Sequence, residues 1–307
     1  MHERPSPQSH SGVRAGLLAI VAAAACWGIA ATVAKDLLDS GVDALELAQA
    51  RSYVAAVGFS LLPGAWAGGL RTARASAPVL IGLGLSIPAV NSVYYLAIQR
   101  LDVAVALVLQ YSAPVLVVAF TAVRSRRFPP PLLVWTLAAA VVGVVFVSEL
   151  PAGDIGKLDG LGLTLGLMAA VFFSAYTLLN EEAAARLGPV PAMARAFVVA
   201  AAFWLIYQVP LGFPDALVAP ENVWRVLFIG VGGTFVPFLL FIWGVARVKS
   251  EKAAIAATIE PPLAGAIAWV WLGETLSAMQ IAGGVLILVA VGALQLERRR
   301  PVLAPEP

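Results

Sequence analysis

Along this chain, runs of about 17 to 22 mostly apolar residues recur so regularly that little between them is long enough to fold alone. They fall near 15–34, 44–63, 77–97, 102–122, 132–148, 161–180, 193–212, 224–245, 253–272 and 276–295. A backbone buried in lipid must satisfy every N–H and C=O internally, which leaves helices or closed barrels. The runs lack the strict alternation of barrel strands, so helices are expected. Composition agrees: 60% of the 307 residues are hydrophobic and 12% are charged, where a soluble domain carries about 25% charge. Mean hydropathy is +0.88. The first run is too long, and followed by too many others, to be a cleaved signal peptide. The expected fold class is therefore an all-α polytopic membrane protein with ten transmembrane helices.

Lys and Arg concentrate on the cytoplasmic side of membrane proteins, which tests the count of spans. Under this count most of the 20 Lys and Arg residues fall on one side, and Lys35, Arg100 and Lys157 fall on the other. Arg51, Arg195 and Arg225 lie within or at the ends of helices. This sorting puts both termini in the cytoplasm, with the plasma membrane as the expected location. A formal net charge of +2 leaves no electrostatic footprint for nucleic acid. Cys26 stands alone, and the two histidines, His2 and His10, sit in the N-terminal tail. No disulfide, thiolate cluster or intramembrane histidine relay can be built from these, and no cofactor or metal is expected.

The second half of the chain echoes the first. Tyr94 to Arg100 sits against Phe241 to Arg247, and Pro114 against Pro261, both at an interval of 147 residues. Arg51 and Arg195 each fall in the second helix of their half. Five helices per repeat is an odd number, so the halves would enter the bilayer in opposite orientations. This predicts two inverted five-helix repeats, at 15–148 and 161–296, joined by an extracytoplasmic connection at 149–160 and flanked by cytoplasmic tails at 1–14 and 297–307. Inverted repeats that rock about a central site are the mechanical basis of many secondary transporters.

These residues resemble the drug/metabolite transporter superfamily and, within it, the EamA-type ten-helix transporters. The resemblance covers about residues 15 to 296. It is carried by Trp27-Gly28, Lys35, Arg51 and Arg100, then Ile259-Glu260-Pro261, Leu272-Gly273-Glu274, Gln280 and Gly283-Gly284. The chain departs from the family at Val123 to Arg127, where a Gly-Glu is absent, and at Pro262, a second consecutive proline. The resemblance implies a substrate cavity between helices one to four and six to nine, with helices five and ten outside it.

Glu260 is the deepest acid in the sequence, and an acid in hydrocarbon normally pairs, protonates or faces water. Arg195 enters helix seven from the same side at similar depth, so a Glu260–Arg195 pair is expected. For Arg51, three partners are open: the outer surface, an acid such as Glu46 or Asp43, or an anionic substrate group. Proline inside a helix removes a backbone hydrogen bond and forces a bend, so Pro88, Pro114, Pro237 and Pro261 are candidate kinks. Trp27, Asn91, Tyr94, Tyr95, Gln110, Tyr111, Phe173 and Tyr176 gather on the same helices as candidate pathway residues beside Glu260. Several pairs, such as Asn91 with Tyr95, share a helical face. Aromatic walls with a few orienting polar groups suit an amphipathic organic solute better than an inorganic ion. Near helix ends, by contrast, Trp135, Trp224, Trp243 and Trp271 read as interfacial anchors.

Gly162 and Gly166 have the spacing that lets helices approach closely, either within the chain or in a homodimer. The expected partners are thus a small-molecule solute, membrane lipid and, through such a face, a second copy. The leading function is a secondary transporter, permease or exporter, that moves small organic metabolites such as amino acids or drug-like solutes by alternating access. The alternative is a membrane-embedded enzyme acting on a lipid-linked substrate. Its nearest acidic cluster, Asp36, Asp39 and Asp43, lies in an outer loop without a histidine or cysteine beside it. No Walker-type glycine loop for ATP is present in the sequence.

Overall fold

The computed structural model describes residues 10–101, 103–149, 159–210, 219–272 and 275–294. Most of both tails, nearly all of the 149–160 connection, Lys157 and Gly273-Glu274 lie outside the described residues, as does the side chain of Lys35. Every regular element among the described residues is helical. In chain order these are α1 (His10–Asp39), α2 (Ala44–Ser60), α3 (Gly69–Ala75), α4 (Ala77–Ile98), α5 (Val103–Gln110), α6 (Ala113–Ser125) and α7 (Pro131–Val147). They continue as α8 (Gly160–Leu187), α9 (Pro189–Gln208), α10 (Pro220–Gly230), a π turn (Val231–Phe235), α11 (Val236–Val248), α12 (Ser250–Ala257), α13 (Glu260–Leu272) and α14 (Ala278–Ala293). Six helical stretches are long and apolar enough to cross a membrane, and α7 and α14 are shorter apolar helices.

Local chemistry sets the ends. Asp43 accepts hydrogen bonds from the N–H groups of Leu45 and Glu46 and starts α2. Asp159 does the same for α8 through Gly162. Ser277 and Gln280 form a reciprocal capping box on α14. α8 runs to Leu187, past the end of the apolar run at 180: its extension buries Ala183 and Ala184, Glu181 accepts from the Ser250 N–H, and Glu182 pairs with Arg186 one turn on.

The surface is inverted relative to a soluble protein. Leu18, Phe120, Val171, Ile206 and Val285 are exposed, whereas Gln49, Arg51, Thr177, Asn180 and Thr234 are buried. Only a surface meant for lipid tolerates so much continuous apolar exposure.

The packing recurs in pairs. α4 lies along α8 and α9, while α11 lies along α1, and α10 and the π turn lie on α2. α5 and α6 pack on α8; α12 and α13 pack on α1. α7 and α14 pack on each other. Glycines permit the closest approaches: a Cβ on Gly16 would stand 2.9 Å from Arg247 Cβ, and one on Gly162 3.2 Å from Arg100 Cβ. Gly166 faces Leu109, so the Gly162–Gly166 spacing serves contact within the chain. At the α7–α14 contact, a Cβ on Gly283 would stand 2.6 Å from the Gly143 carbonyl oxygen.

Three of the four candidate kink prolines stand beside irregularities in the helix pattern. Pro114 and Pro261 stand in the first turns of α6 and α13, after the breaks at Tyr111-Ser112 and Thr258-Ile259, and Pro237 follows the π turn. At the start of a helix, the missing proline N–H would have no intrahelical partner anyway. Pro88 lies inside α4, and Pro237 lies within the unbroken helical stretch Pro220–Val248. The two breaks are built alike: Ser112 Oγ donates to Leu109 O and Thr258 Oγ1 to Ile255 O, each three residues back.

Candidate substrate cavity

A cavity of about 380 Å³ opens between α1, α2, α4, α5, α8, the α10–α11 stretch and α13. From α1 it takes residues from Trp27 to Leu38, and from α4 residues from Val90 to Gln99. It therefore occupies the half of the bundle nearest the turns at 40–43 and 99–101. Toward the opposite end the bundle is filled by aromatic rings in stacked and edge-to-face contact. Phe59 lies 5.1 Å from Phe197, Phe197 5.3 Å from Phe238, and Phe238 5.4 Å from Tyr176, measured between ring centroids.

Eight of the nine expected pathway residues line this cavity: Trp27, Asn91, Tyr94, Tyr95, Gln110, Phe173, Tyr176 and Glu260. The ninth, Tyr111, is only 2% exposed and stands behind Glu260. Its hydroxyl donates to Glu260 Oε2 at 2.5 Å. Tyr111 lies in the break between α5 and α6, and Glu260 opens α13 after the break that ends α12. The hydrogen bond thus ties one interrupted helix to the other.

The expected Glu260–Arg195 pair does not form. Arg195 turns away from the cavity and donates to the carbonyls of Ala65, Trp66 and Ala67, at 3.0, 3.3 and 3.1 Å, and to Pro191 O. Its guanidinium also lies 5.5 Å from the Trp66 ring centroid. The reason is local: the turn after α2 presents a cluster of carbonyls with few backbone donors to meet them, and a fork of N–H groups satisfies several at once.

Arg51 forms no ion pair with either of the acids anticipated for it, Glu46 or Asp43. It lines the cavity and is 8% exposed. Nε donates to Thr234 Oγ1, one terminal nitrogen to the Tyr95 hydroxyl and the other to Gly233 O, each at 2.8 Å. Two of those acceptors come from the π turn, a widened turn common at functional sites. Thr234 Oγ1 in turn donates to Ile229 O at 2.9 Å, five residues back. Asp43, one of the acids considered for Arg51, is occupied in capping α2.

The remaining walls are aromatic. Trp27 meets Phe238 edge-on at 5.7 Å and Phe241 at 5.5 Å, and Phe173 lies 6.5 Å from Tyr111. Asn91 Nδ2 donates to Ile87 O on its own helix. Gln110 Oε1 is buried with no hydrogen-bond partner among the described residues. Sequence reasoning missed Gly233, Thr234 and Phe238. The available signal was Gly232-Gly233-Thr234, a flexible and polar interruption within an otherwise apolar run. Among the described residues, no group of three His, Cys, Asp or Glu side chains is placed to hold a metal ion.

Outside the cavity, Arg100 and Asp159 form an exposed ion pair at 3.3 Å. The Asp159 carboxyl is held below its ordinary value of 3.8, chiefly by the Gly162 N–H and further by Arg100.

An apolar exterior around a charged, half-open internal cavity is the anatomy of a membrane carrier. The chain belongs to the EamA-like transporter family, whose model matches residues 14–149 and again 160–294. The threonine/homoserine exporter RhtA of Escherichia coli K12 is 31% identical over 232 residues, 73% of each chain. RhtA of Salmonella typhimurium is 30% identical over 238 residues, 76% of each. A transporter of Archaeoglobus fulgidus is 30% identical over 209 residues, 64% of this chain and 69% of its own. A crystal structure with 20% identity matches the fold with a TM-score of 0.75, over 92% of this chain and 97% of the other. The relatives from Escherichia coli, Salmonella typhimurium and Archaeoglobus fulgidus are named as exporters or transporters, and the chain is an integral membrane transporter.

Proposed function

We propose that this chain is a ten-span secondary transporter that exports small organic solutes, amino acids among them, by alternating access. The spans are α1, α2, α4, α5–α6 and α7 in the first half, and α8, α9, α10–α11, α12–α13 and α14 in the second. Each half has five, so the two are inverted, with both termini in the cytoplasm of a cell whose plasma membrane holds the protein. The matching intervals support this reading: α5 and α12 begin 147 residues apart, at Val103 and Ser250, and α6 and α13 likewise, at Ala113 and Glu260. So does the exchange of packing partners between α4 on α8 and α11 on α1.

The observation that carries the function is the cavity itself, with Arg51 and Glu260 facing it from within apolar spans. Charges in such positions are expensive and mark transport pathways. In the proposed topology the cavity faces outward, and the aromatic rings from Phe59 to Tyr176 close the cytoplasmic side. Trp27, Asn91, Tyr94, Tyr95, Gln110, Phe173, Tyr176 and Glu260 form the substrate pathway, with Tyr111 positioning Glu260. The relatives that export threonine and homoserine make amino acids the first substrates to try.

Purified protein in liposomes, preloaded with unlabelled amino acid and challenged with the labelled form, tests the proposal. Saturable counterflow that requires the intact cavity is expected. Absence of exchange for every amino acid, amine and organic acid tried would remove it. Cys26 is the chain's one cysteine, so single cysteines at Gly41 and Phe128 in a Cys26→Ser background test the topology. An impermeant reagent added outside cells should label the first and not the second.

A further inference from the structure

Arg51 and Glu260 face one cavity within electrostatic reach of each other, and among the described residues neither makes an ion-pair contact. Arg51 spends three of the five guanidinium N–H donors on Thr234, Tyr95 and Gly233. All three acceptors are neutral. Among the described residues no carboxylate lies within 4.0 Å of it. The cradle fixes the plane of the guanidinium with neutral groups alone and leaves two N–H groups to spare. Glu260 is the mirror case: Tyr111 holds Oε2 with a neutral hydroxyl, and no Lys or Arg among the described residues lies within ion-pair distance.

A buried ion without a contacting counter-ion is costly, and the cost falls when a ligand brings an opposite charge into contact with it. A monoanion would relieve Arg51 and leave Glu260 unpaired. A monocation would do the reverse. Only a solute carrying both charges relieves both. Resting on the transport reading above, we propose that the cavity selects zwitterionic α-amino acids by gripping the two ends separately, the carboxylate on Arg51 and the ammonium on Glu260. The planar guanidinium suits a carboxylate, which it can meet with two parallel N–H groups. A carboxylate acceptor suits an ammonium. The aromatic wall of Trp27, Phe173 and Phe238 then receives the side chain and tolerates variation in it, since an apolar surface discriminates weakly between shapes of similar size. Thr234 and Tyr95 are positioning residues that aim Arg51, as Tyr111 aims Glu260.

The test is competition in proteoliposomes holding the full chain. Counterflow of radiolabelled L-threonine is inhibited with unlabelled L-threonine, with its methyl ester, which lacks the carboxylate, and with N-acetyl-L-threonine, which lacks the ammonium. With the native chain, capping either end should raise the half-inhibitory concentration about tenfold or more. Arg51→Gln should erase the penalty for the ester and keep the penalty for the N-acetyl compound. Glu260→Gln should do the opposite. A merely structural role would lower transport without crossing the two selectivities in this way. If Arg51→Gln does not fold, Arg51→Lys, which keeps the charge, should keep the penalty against the ester, and the capped series on the native chain stands without any variant. Equal inhibition of the native chain by capped and uncapped compounds overturns the proposal. So does exchange confined to amines or to organic acids, which would leave the transport reading intact. Absence of exchange for any solute overturns both.

Discussion

The Tyr111 hydroxyl donates to Glu260 Oε2 at 2.5 Å, although the two residues are 149 positions apart in the chain. Each sits at the break of an interrupted helix, so one hydrogen bond joins the discontinuity of α5–α6 to that of α12–α13. Tyr111→Phe deletes the donor and should cost about 1–3 kcal/mol. The expected result is a lower melting temperature in detergent together with slower counterflow. Glu260→Gln keeps an oxygen that can accept from Tyr111, so it should melt closer to the native protein than Glu260→Leu does. An order in which Gln is the worse of the two would contradict the hydrogen-bond role.

Thr234 is fully buried and accepts from Arg51 Nε. Thr234→Val is nearly isosteric and leaves that donor without its acceptor, at a cost of about 1–3 kcal/mol. Thr234→Ser keeps the hydroxyl and should stay near the native stability. Unfolding in detergent followed by tryptophan fluorescence separates the two outcomes, and identical melting of both variants would refute the assignment.

Gly283 and Gly292 lie on the same helix and make a matched pair. A Cβ on Gly283 would stand 2.6 Å from a backbone carbonyl of α7, whereas one on Gly292 meets nothing within 4 Å. Gly283→Ala should destabilise by about 1–3 kcal/mol through forced separation of α7 and α14. Gly292→Ala should be neutral or stabilising by up to about 1 kcal/mol, from helix propensity alone. Equal effects at both positions would mean that α7 and α14 do not meet as described.

Lys249 joins α11 to α12 with φ 75° and ψ 162°, a region that is essentially reserved for glycine. Gly188 makes the α8–α9 elbow with nearly the same angles, φ 85° and ψ 161°. Lys249→Gly should therefore relieve about 1–3 kcal/mol of strain, less what glycine loses in unfolded-chain entropy. A higher melting temperature is expected, and a clear decrease would count against the strained elbow.

Asp159 gives a pH dependence whose sign is fixed. Its carboxyl titrates below 3.8 in the folded protein, so its contribution is complete above that value and vanishes as the pH falls through the lower, folded value. Asp159→Ala should melt below the native protein at neutral pH, and the gap should narrow on acidification to below about 3.8. Asp159→Asn retains a cap for Gly162 and loses the Arg100 ion pair, so a smaller gap is expected. A gap that stays constant through acid would show that the charge contributes nothing.

The residues around the cavity were legible from sequence because helical spacing and polarity are one-dimensional signals. Asn91 and Tyr95 share a face by periodicity alone, and an acid in an apolar run, such as Glu260, announces itself. The partners of the arginines were not legible. Arg195 binds three successive backbone carbonyls, and carbonyls occur at every residue, so the sequence carries no mark of where they cluster. Arg51 depends on a π turn, whose one residue of extra winding is invisible to a hydropathy window. Tyr111 reads as one more aromatic of the wall until packing puts Glu260 between it and the cavity. Prolines signalled where the helices become irregular, and could not signal that two of those places hold a two-residue turn.

In the two-half reading, that π turn has an ancestry. Gly84 of α4 meets Val199 of α9, and Gly230, which ends α10, meets Val54 of α2, in contacts that correspond at an interval of 146 residues between the glycines. From Arg100 to Arg247, a little further along, the interval is 147. On the proposed duplication the second half carries one extra position between these landmarks, and the π turn at Val231–Phe235 lies where the winding would absorb it. A single inserted codon would have widened that helix, offered a carbonyl and a hydroxyl to Arg51, and left Arg195, whose neighbour α4 stayed regular, to settle elsewhere. On that proposal the twin arginines have taken different trades within one duplicated frame, one beside the cavity and one holding the turn after α2.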